Sequence, residues 1–130
     1  MSLDRLLGTW SYSMQHVQMT TAVTGEFCFE RVLAGAFVMM HSTCSHPDFP
    51  DAIGLLDDTT YSTFDVRGVR RVFDLVVDDV GWSTIRRDED FWQRSSVRFV
   101  GDDAMEGTGE NSHDQGSTWD HDYAIALRRA

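Results

Sequence analysis

Short segments in which apolar and polar side chains alternate with a period of two fill this chain almost from end to end. One of them places Val23, Phe27 and Phe29 on one side, and Glu26 and Glu30 on the other. A period of two is typical of β-strands with one buried and one solvent-facing side. The pattern predicts ten strands, over residues 8–15, 22–32, 36–44, 52–57, 60–66, 69–77, 81–87, 91–100, 104–112 and 118–128.

Turn-forming sequences separate these segments, among them Arg67-Gly68 and Gly101-Asp102-Asp103. Because connections this short can join only antiparallel neighbours, the strands are predicted to follow one another as a meander. Helical periodicity is absent beyond Ser2–Leu7, where we expect one helical turn with Ser2 as its N-cap and Gly8 as its end.

Ten amphipathic strands are too many for a flat open sheet in a chain of 130 residues, and closure removes the exposed edges. The prediction is therefore an all-β fold: a single antiparallel up-and-down β-barrel of about ten strands. The length fits one domain over residues 1–130.

The charge balance narrows the classes of partner. With 11 basic and 21 acidic residues, the formal net charge is −10, which repels phosphate backbones and anionic lipid. We therefore expect neither nucleic acid nor a membrane surface as partner, while a homodimer stays open. No stretch has the composition of a signal peptide or a membrane span, which predicts a cytoplasmic protein. The spacing of Cys28 and Cys44 across a hairpin predicts free, buried thiols.

Gly8-Thr9-Trp10 on the first strand and an arginine at the end of the last resemble the pattern of the calycins. These are the barrels shared by lipocalins, fatty-acid-binding proteins and their bacterial relatives. The resemblance implies that Trp10 sits at the closed end of the barrel, with Arg129 or Arg128 packed across it as a structural plug.

Further stretches, Phe64–Gly68, Gly81-Trp82 and Gly116–Tyr123, resemble an uncharacterised bacterial family of lipocalin-like barrels. Two relatives fit less well. Fatty-acid-binding proteins insert a helical pair after the first strand and carry Arg-x-Tyr near the end. In this chain residues 15–21 are too few for two helices, and the terminal Arg128-Arg129-Ala130 contains no Arg-x-Tyr. Nitrobindin-type haem barrels follow their G-x-W with a glycine-rich run, where this chain has Ser11–His16.

Alternation also predicts what lines the interior. The apolar candidates on the inward phase are Tyr12, Met14, Phe27, Met39, Phe73, Trp82 and Tyr123. Four polar candidates converge with them: Gln93, Asn111, His41 and His121. An apolar stripe with a few polar groups is typical of a small-molecule pocket, and core packing alone produces the same stripe, so both interpretations stay open.

The inward placement of the two histidines rests on assumed register. A three-residue turn over Leu33–Gly35 would turn His41 inward, and unbroken alternation would do the same for His121. Either could be a hydrogen-bonded core residue, a ligand contact or a general base. Since alternation sends Asp120 and Asp122 to the face opposite His121, no metal site is predicted, and no catalytic residue is assigned.

The leading hypothesis is a binding module that holds a small hydrophobic or aromatic molecule inside a lipocalin-like barrel. The alternative is a small barrel enzyme, an isomerase, cyclase or hydrolase of a hydrophobic substrate, with His41 or His121 as general base. A haem-binding barrel is the second alternative, and no cofactor is otherwise expected.

Overall fold

Ten β-strands make up most of residues 3–130, the part of the chain that the computed structural model describes. They are β1 (Gly8–His16), β2 (Val23–Val32), β3 (Phe37–Cys44), β4 (Ala52–Leu56), β5 (Thr60–Asp65), β6 (Arg70–Val77), β7 (Gly81–Arg87), β8 (Trp92–Val100), β9 (Ala104–Ser112) and β10 (Asp120–Arg129). The bounds agree with the predicted strands to within about two residues, because the turn residues between them were read from local chemistry.

Each strand pairs antiparallel with the next, and β10 pairs with β1 to close the barrel. In the closing ladder Trp10 lies opposite Arg129, and Met14 lies opposite Ile125. The predicted closed up-and-down barrel is therefore confirmed. The predicted helical turn is a short 3₁₀ turn, Asp4–Leu6, with Leu3 at its N-cap position, whereas Ser2 lies outside the described residues.

The core lies inside the barrel and continues beneath the 3₁₀ turn. Its fully buried side chains are Leu6, Trp10, Val23, Val38, Leu56 and Met105. Leu6 belongs to the 3₁₀ turn, and the other five occupy the inward phase of their strands, so period-two alternation accounts for the core of the barrel. Within residues 3–130, no helix is both long and apolar enough to cross a membrane.

A plug made by Trp10 and Arg129 closes one end of the barrel. The Trp10 ring is 1% exposed, and its indole N–H donates to the Leu6 carbonyl at 2.8 Å. The Arg129 guanidinium lies 4.2 Å from the Trp10 ring centre and donates to the carbonyls of Leu7 (2.6 Å) and Arg5 (2.8 Å). The cation therefore stacks on the indole while its N–H groups bind the chain that leads into β1.

Gly8 and Arg128 explain two details of the predicted plug motif. Gly8 has a φ of +111°, and a Cβ there would lie 3.1 Å from Nη1 of Arg129, so a side chain would be both strained and crowded. Arg128 is exposed on the outer face. Of the two candidate arginines, it is thus Arg129 that contacts Trp10.

Both cysteines are free, as the sequence predicts, but they are not both buried. Cys28 is exposed on the outer face, opposite His41, and Cys44 is half-buried. The predicted burial of Cys28 is wrong because β2 sends Phe27 and Phe29 inward, which leaves the residue between them facing solvent.

Asp114 organises the loop between β9 and β10. Its carboxylate accepts from the Thr118 backbone N–H at 2.8 Å, from the Thr118 hydroxyl, and from the Ser112 hydroxyl at 2.8 Å. These hydrogen bonds, first of all from the Thr118 side chain, lower the pKa of Asp114 to about 2. The charged form is therefore the one that the folded loop favours.

We expect the wild-type protein to lose stability as the pH falls from about 4 towards 2, partly because Asp114 takes up a proton. A carboxylate whose pKa is lower in the folded state stabilises the fold above its ordinary value of 3.8, and that contribution is lost as the pH approaches the folded pKa. Urea unfolding at stepped pH should show a shallower acid loss for Asp114→Asn. The exposed turn variant Asp58→Asn removes the same charge and should retain the wild-type slope. Equal slopes for all three proteins would contradict this assignment.

Candidate functional site

A cavity of about 230 Å³ lies inside the barrel between the plug and the opposite end, here called the far end. Its apolar wall includes Phe27, Tyr61, Phe73, Trp82, Tyr123 and Ile125. Its polar groups include Arg71, Thr84, Gln93, Ser95, Asn111 and Asp122. An apolar enclosure with a few converging polar side chains has the chemistry of a small-molecule pocket.

Two of the cavity's aromatic side chains are tyrosines held in tight contacts. Tyr61 lies against Phe73, with ring centres 5.8 Å apart. A Cβ at Gly109 would collide with the Tyr123 ring, so the absence of a side chain on β9 makes the room that this ring occupies. Burial raises the pKa of both Tyr61 and Tyr123. Both phenols are therefore neutral at physiological pH.

Most of the predicted lining residues do face the interior. Phe27, Phe73, Trp82, Gln93, Asn111 and Tyr123 line the cavity. Tyr12 and Met14 also lie on the inward phase but beside the cavity, as part of the core or packed against it. Tyr12 stacks on Phe27 with ring centres 4.7 Å apart, and its hydroxyl donates to the Thr43 carbonyl at 3.3 Å.

Met39 and His41, by contrast, lie on the outward phase of β3. The β2–β3 connection pairs Val32 with Phe37, so it contains four residues rather than the predicted three. Leu33 and Ala34 both adopt positive φ, which lets the chain take this extra residue. A shift of one residue turns the whole strand over, so that Met40 and Ser42 point inward instead.

His121 is exposed as well, because β10 contains a β-bulge. The ladder shifts between His121, which pairs with Glu110, and Tyr123, which pairs with Gly109. Asp122 is the additional residue, and it lies on the cavity side. The alternation inferred from Tyr123 therefore fails before the bulge. Neither His41 nor His121 can act as a general base on a molecule inside the barrel.

His16 is an inward-facing histidine that the sequence prediction omitted. Its Nε2 lies 2.9 Å from the Asp122 carboxylate, and its Nδ1 accepts from the backbone N–H of Gln18 at 3.1 Å. Both ring nitrogens are thus engaged, which leaves neither for a substrate proton or a haem iron. Among residues 3–130 there is also no group of three or more side chains that could hold a metal ion.

The charged groups around the cavity differ in whether they have partners. Asp122 pairs with His16, and Glu110 pairs with Arg94 at 2.9 Å. Arg71 lines the same cavity and makes no ion pair or hydrogen bond within the described part of the chain. Its guanidinium lies 5.6 Å from the ring centre of Phe91. Trp82 adds a buried indole N–H that has no acceptor among residues 3–130.

Sequence reasoning missed several of these residues for different reasons. Arg71 stands two positions before Phe73, so alternation would place it inward, but it was not predicted as a lining residue because charged residues usually face solvent. Tyr61 was ambiguous because β5 carries aromatic residues on both phases, Tyr61 and Phe64. Alternation placed Asp122 on the outer face, and that placement is wrong because the bulge turns Asp122 towards the cavity.

A larger hollow of about 640 Å³ lies on the outer surface, across β8, β9, β10 and β1. Small side chains such as Ser13, Thr108, Ala124 and Ala126 line it. It is open to solvent and lacks the aromatic walls of the interior. The interior cavity is therefore the better candidate for a specific ligand.

Comparisons with known proteins agree on the fold. The fatty-acid-binding protein 1 of Echinococcus granulosus matches with a TM-score of 0.69 and 11% identity, over 98% of this chain and 99% of that chain. The S-type phycobiliprotein lyase of Guillardia theta matches with a TM-score of 0.60 and 10% identity, over 98% of this chain and 89% of that chain. No protein-family model and no curated protein matches the sequence.

These likenesses confirm the predicted barrel fold and its distant resemblance to that of fatty-acid-binding proteins. At identities of 10–11% they establish the fold and nothing narrower. Membership in a bacterial family of such barrels stays a prediction from the sequence.

Proposed function

We propose that this protein binds one small, largely apolar molecule inside its barrel. The observation that carries the proposal is the interior cavity of about 230 Å³ with its aromatic wall and converging polar groups. A hollow with an aromatic wall removes apolar ligand surface from water, which contributes roughly 25 cal/mol per Å². The polar side chains at the far end then orient the ligand.

The cavity volume limits the ligand's size. A cavity of about 150 Å³ holds benzene, and pockets for drug-sized ligands measure roughly 300–1,000 Å³. At about 230 Å³ the interior matches one aromatic ring with a short side chain. A long-chain lipid would need more room than this.

The rest of the molecule supports a carrier or sensor of small molecules in a reducing compartment such as the cytoplasm. Both cysteines are free although Cys28 is exposed, which is typical of such compartments. A net charge of −10 disfavours nucleic acid as partner. Since both nitrogens of His16 are engaged and His41 and His121 face outward, binding accounts for the site better than histidine-based catalysis.

Filling the cavity should abolish binding. Thr63 lies on the inward phase of β5 and lines the cavity, so the ring of Thr63→Phe would occupy space that the ligand needs. We expect the affinity for 3-phenylpropan-1-ol, an uncharged probe of suitable size, to fall about tenfold or more, measured by isothermal titration calorimetry.

Two controls separate this effect from general disturbance. Ser62→Phe adds the same ring to the adjacent residue, which faces outward opposite Val72, and should leave the affinity within about twofold. His121→Ala alters an exposed side chain and should also leave the affinity unchanged. Equal binding by Thr63→Phe and wild type, or no binding by the wild type, would refute an interior site.

A further inference from the structure

We propose that Arg71 makes the cavity selective for a small organic anion, a carboxylate whose apolar body lies in the barrel and whose charged head meets Arg71 at the far end. This inference rests on the proposed binding function and names the ligand class. Three observations carry it: the position of Arg71, its lack of a charge partner, and the donors around it.

Arg71 points into the barrel near the end opposite the plug. It is the second residue of β6 and shares the inward phase with Phe73 and Leu75. It is half-buried, and it lies opposite Thr63 in the ladder with β5. The neighbouring arginine, Arg70, is exposed on the outer face and lies over the Phe64 ring.

Arg71 brings to the cavity a positive charge that no carboxylate among residues 3–130 contacts. The two carboxylates at the cavity contact other side chains, Asp122 the imidazole of His16 and Glu110 the guanidinium of Arg94, at 2.9 Å each. Burial raises the pKa of Tyr61 and Tyr123, so neither phenol supplies a negative charge. A guanidinium partly removed from water and without an anion favours a carboxylate, which it can bind with two parallel hydrogen bonds.

Gln93 adds a neutral donor beside this charge. Arg86 is a donor only, and its Nε donates to Oε1 of Gln93 at 3.0 Å. That contact occupies the amide oxygen and leaves the NH₂ group of Gln93 as its free donor. Since Gln93 and Arg71 line the same cavity, the polar end of the pocket offers N–H donors, as an anionic head requires.

The overall charge of −10 acts in the opposite direction, and distance decides which effect prevails. At physiological ionic strength, exposed charges are screened beyond about 8 Å. A hydrogen-bonded ion pair in a partly dry cavity is screened far less. The acidic surface therefore slows the arrival of an anion, whereas Arg71 sets its affinity once it is inside.

The test compares two probes with the same apolar body, 3-phenylpropanoate and 3-phenylpropan-1-ol, by calorimetry at neutral pH. In the wild type we expect the carboxylate to bind about tenfold more tightly than the alcohol. Arg71→Met should remove that preference by weakening carboxylate binding about tenfold, with the alcohol changed less than about threefold. Arg71→Lys should retain part of the preference, since it keeps the charge but loses the planar fork.

Arg70→Met is the matched control, because it removes the same charge from the adjacent residue on the outer face, and it should keep the wild-type preference.

If the alcohol binds but Arg71→Met leaves the ratio of affinities unchanged, the role of Arg71 is refuted and the binding function stands. If neither probe binds the wild type, both proposals fail. A loss of preference in Arg70→Met equal to that in Arg71→Met would also refute a specific contact. If Arg71→Met melts well below the wild type, Arg71→Lys replaces it as the test. Equal affinities of Arg71→Lys for the carboxylate and the alcohol would then refute the proposal.

Discussion

Replacing Trp10 with alanine is expected to lower the free energy of unfolding by about 3–5 kcal/mol, as large-to-small changes at buried aromatic residues do. The side chain is 1% exposed, so its removal leaves a cavity that the surrounding strands can close only in part. The change also leaves the Leu6 carbonyl without the indole N–H that lies 2.8 Å away, and the Arg129 cation without the ring beneath it.

Urea unfolding followed by circular dichroism measures this loss, and Trp119→Ala provides the comparison. Trp119 is half-buried on the outside of the barrel, where Arg94 lies 3.9 Å from its ring centre. Because that ring keeps contact with water, we expect its removal to cost no more than about 1–2 kcal/mol. A Trp10→Ala protein as stable as Trp119→Ala would mean that the plug does not hold the barrel closed.

Arg129→Ala is expected to cost about 2–4 kcal/mol, the second-largest effect that the structure predicts. The guanidinium donates to the carbonyls of Arg5, Leu7 and Asp102, and it also stacks on Trp10. Hydrogen bonds from a charged donor are stronger than neutral ones, whereas the exposed ion pair with Asp103 at 3.6 Å adds little.

Arg128→Ala is the control for Arg129→Ala, since it alters the preceding residue, which is exposed on the outer face. Its stability should stay within about 0.5 kcal/mol of the wild type. Because both variants lose one positive charge, the difference between their free energies of unfolding measures the contacts that the Arg129 side chain makes in the plug. A comparable loss in the two proteins would argue that charge, and not the stacked contact, is responsible.

The fold could be read from the sequence because its determinants are local and repeated. Each strand carries its own alternation, and each connection after β2 its own glycine or aspartate, so an error in one does not spread to the next. Closure followed from strand number together with the Gly8-Thr9-Trp10 motif, which the contact between Trp10 and Arg129 explains physically.

The candidate site was less predictable because single residues decide which way a side chain points. One additional residue in the loop after Val32 turned Met39 and His41 outward, and one additional residue at Asp122 did the same for His121. Such insertions depend on loop conformation and on the neighbouring strand, and neither of these produces a recognisable pattern of apolar and polar residues.

Arg71 shows a different limit of sequence reasoning. Alternation with Phe73 puts Arg71 on the inward phase of β6. The usual rule that charged residues face water opposes that placement. The role of Arg71 becomes visible only from the contacts of the other charged residues at the cavity, the pairs His16–Asp122 and Arg94–Glu110. These pairs form only when β8, β9, β10 and β1 lie side by side.

The closing ladder between β1 and β10 has a consequence for the order of folding. Every other ladder joins consecutive strands across a short connection, whereas this one joins Trp10 to Arg129, near opposite ends of the chain. Its formation carries the largest loop-closure entropy of the molecule, and such distant contacts set the rate at which β-proteins fold. Until the seam forms, β1 and β10 are both unpaired edges. The contact between Trp10 and Arg129 thus forms in the step that pairs these two edges. After that step, neither edge can pair with a strand of another molecule.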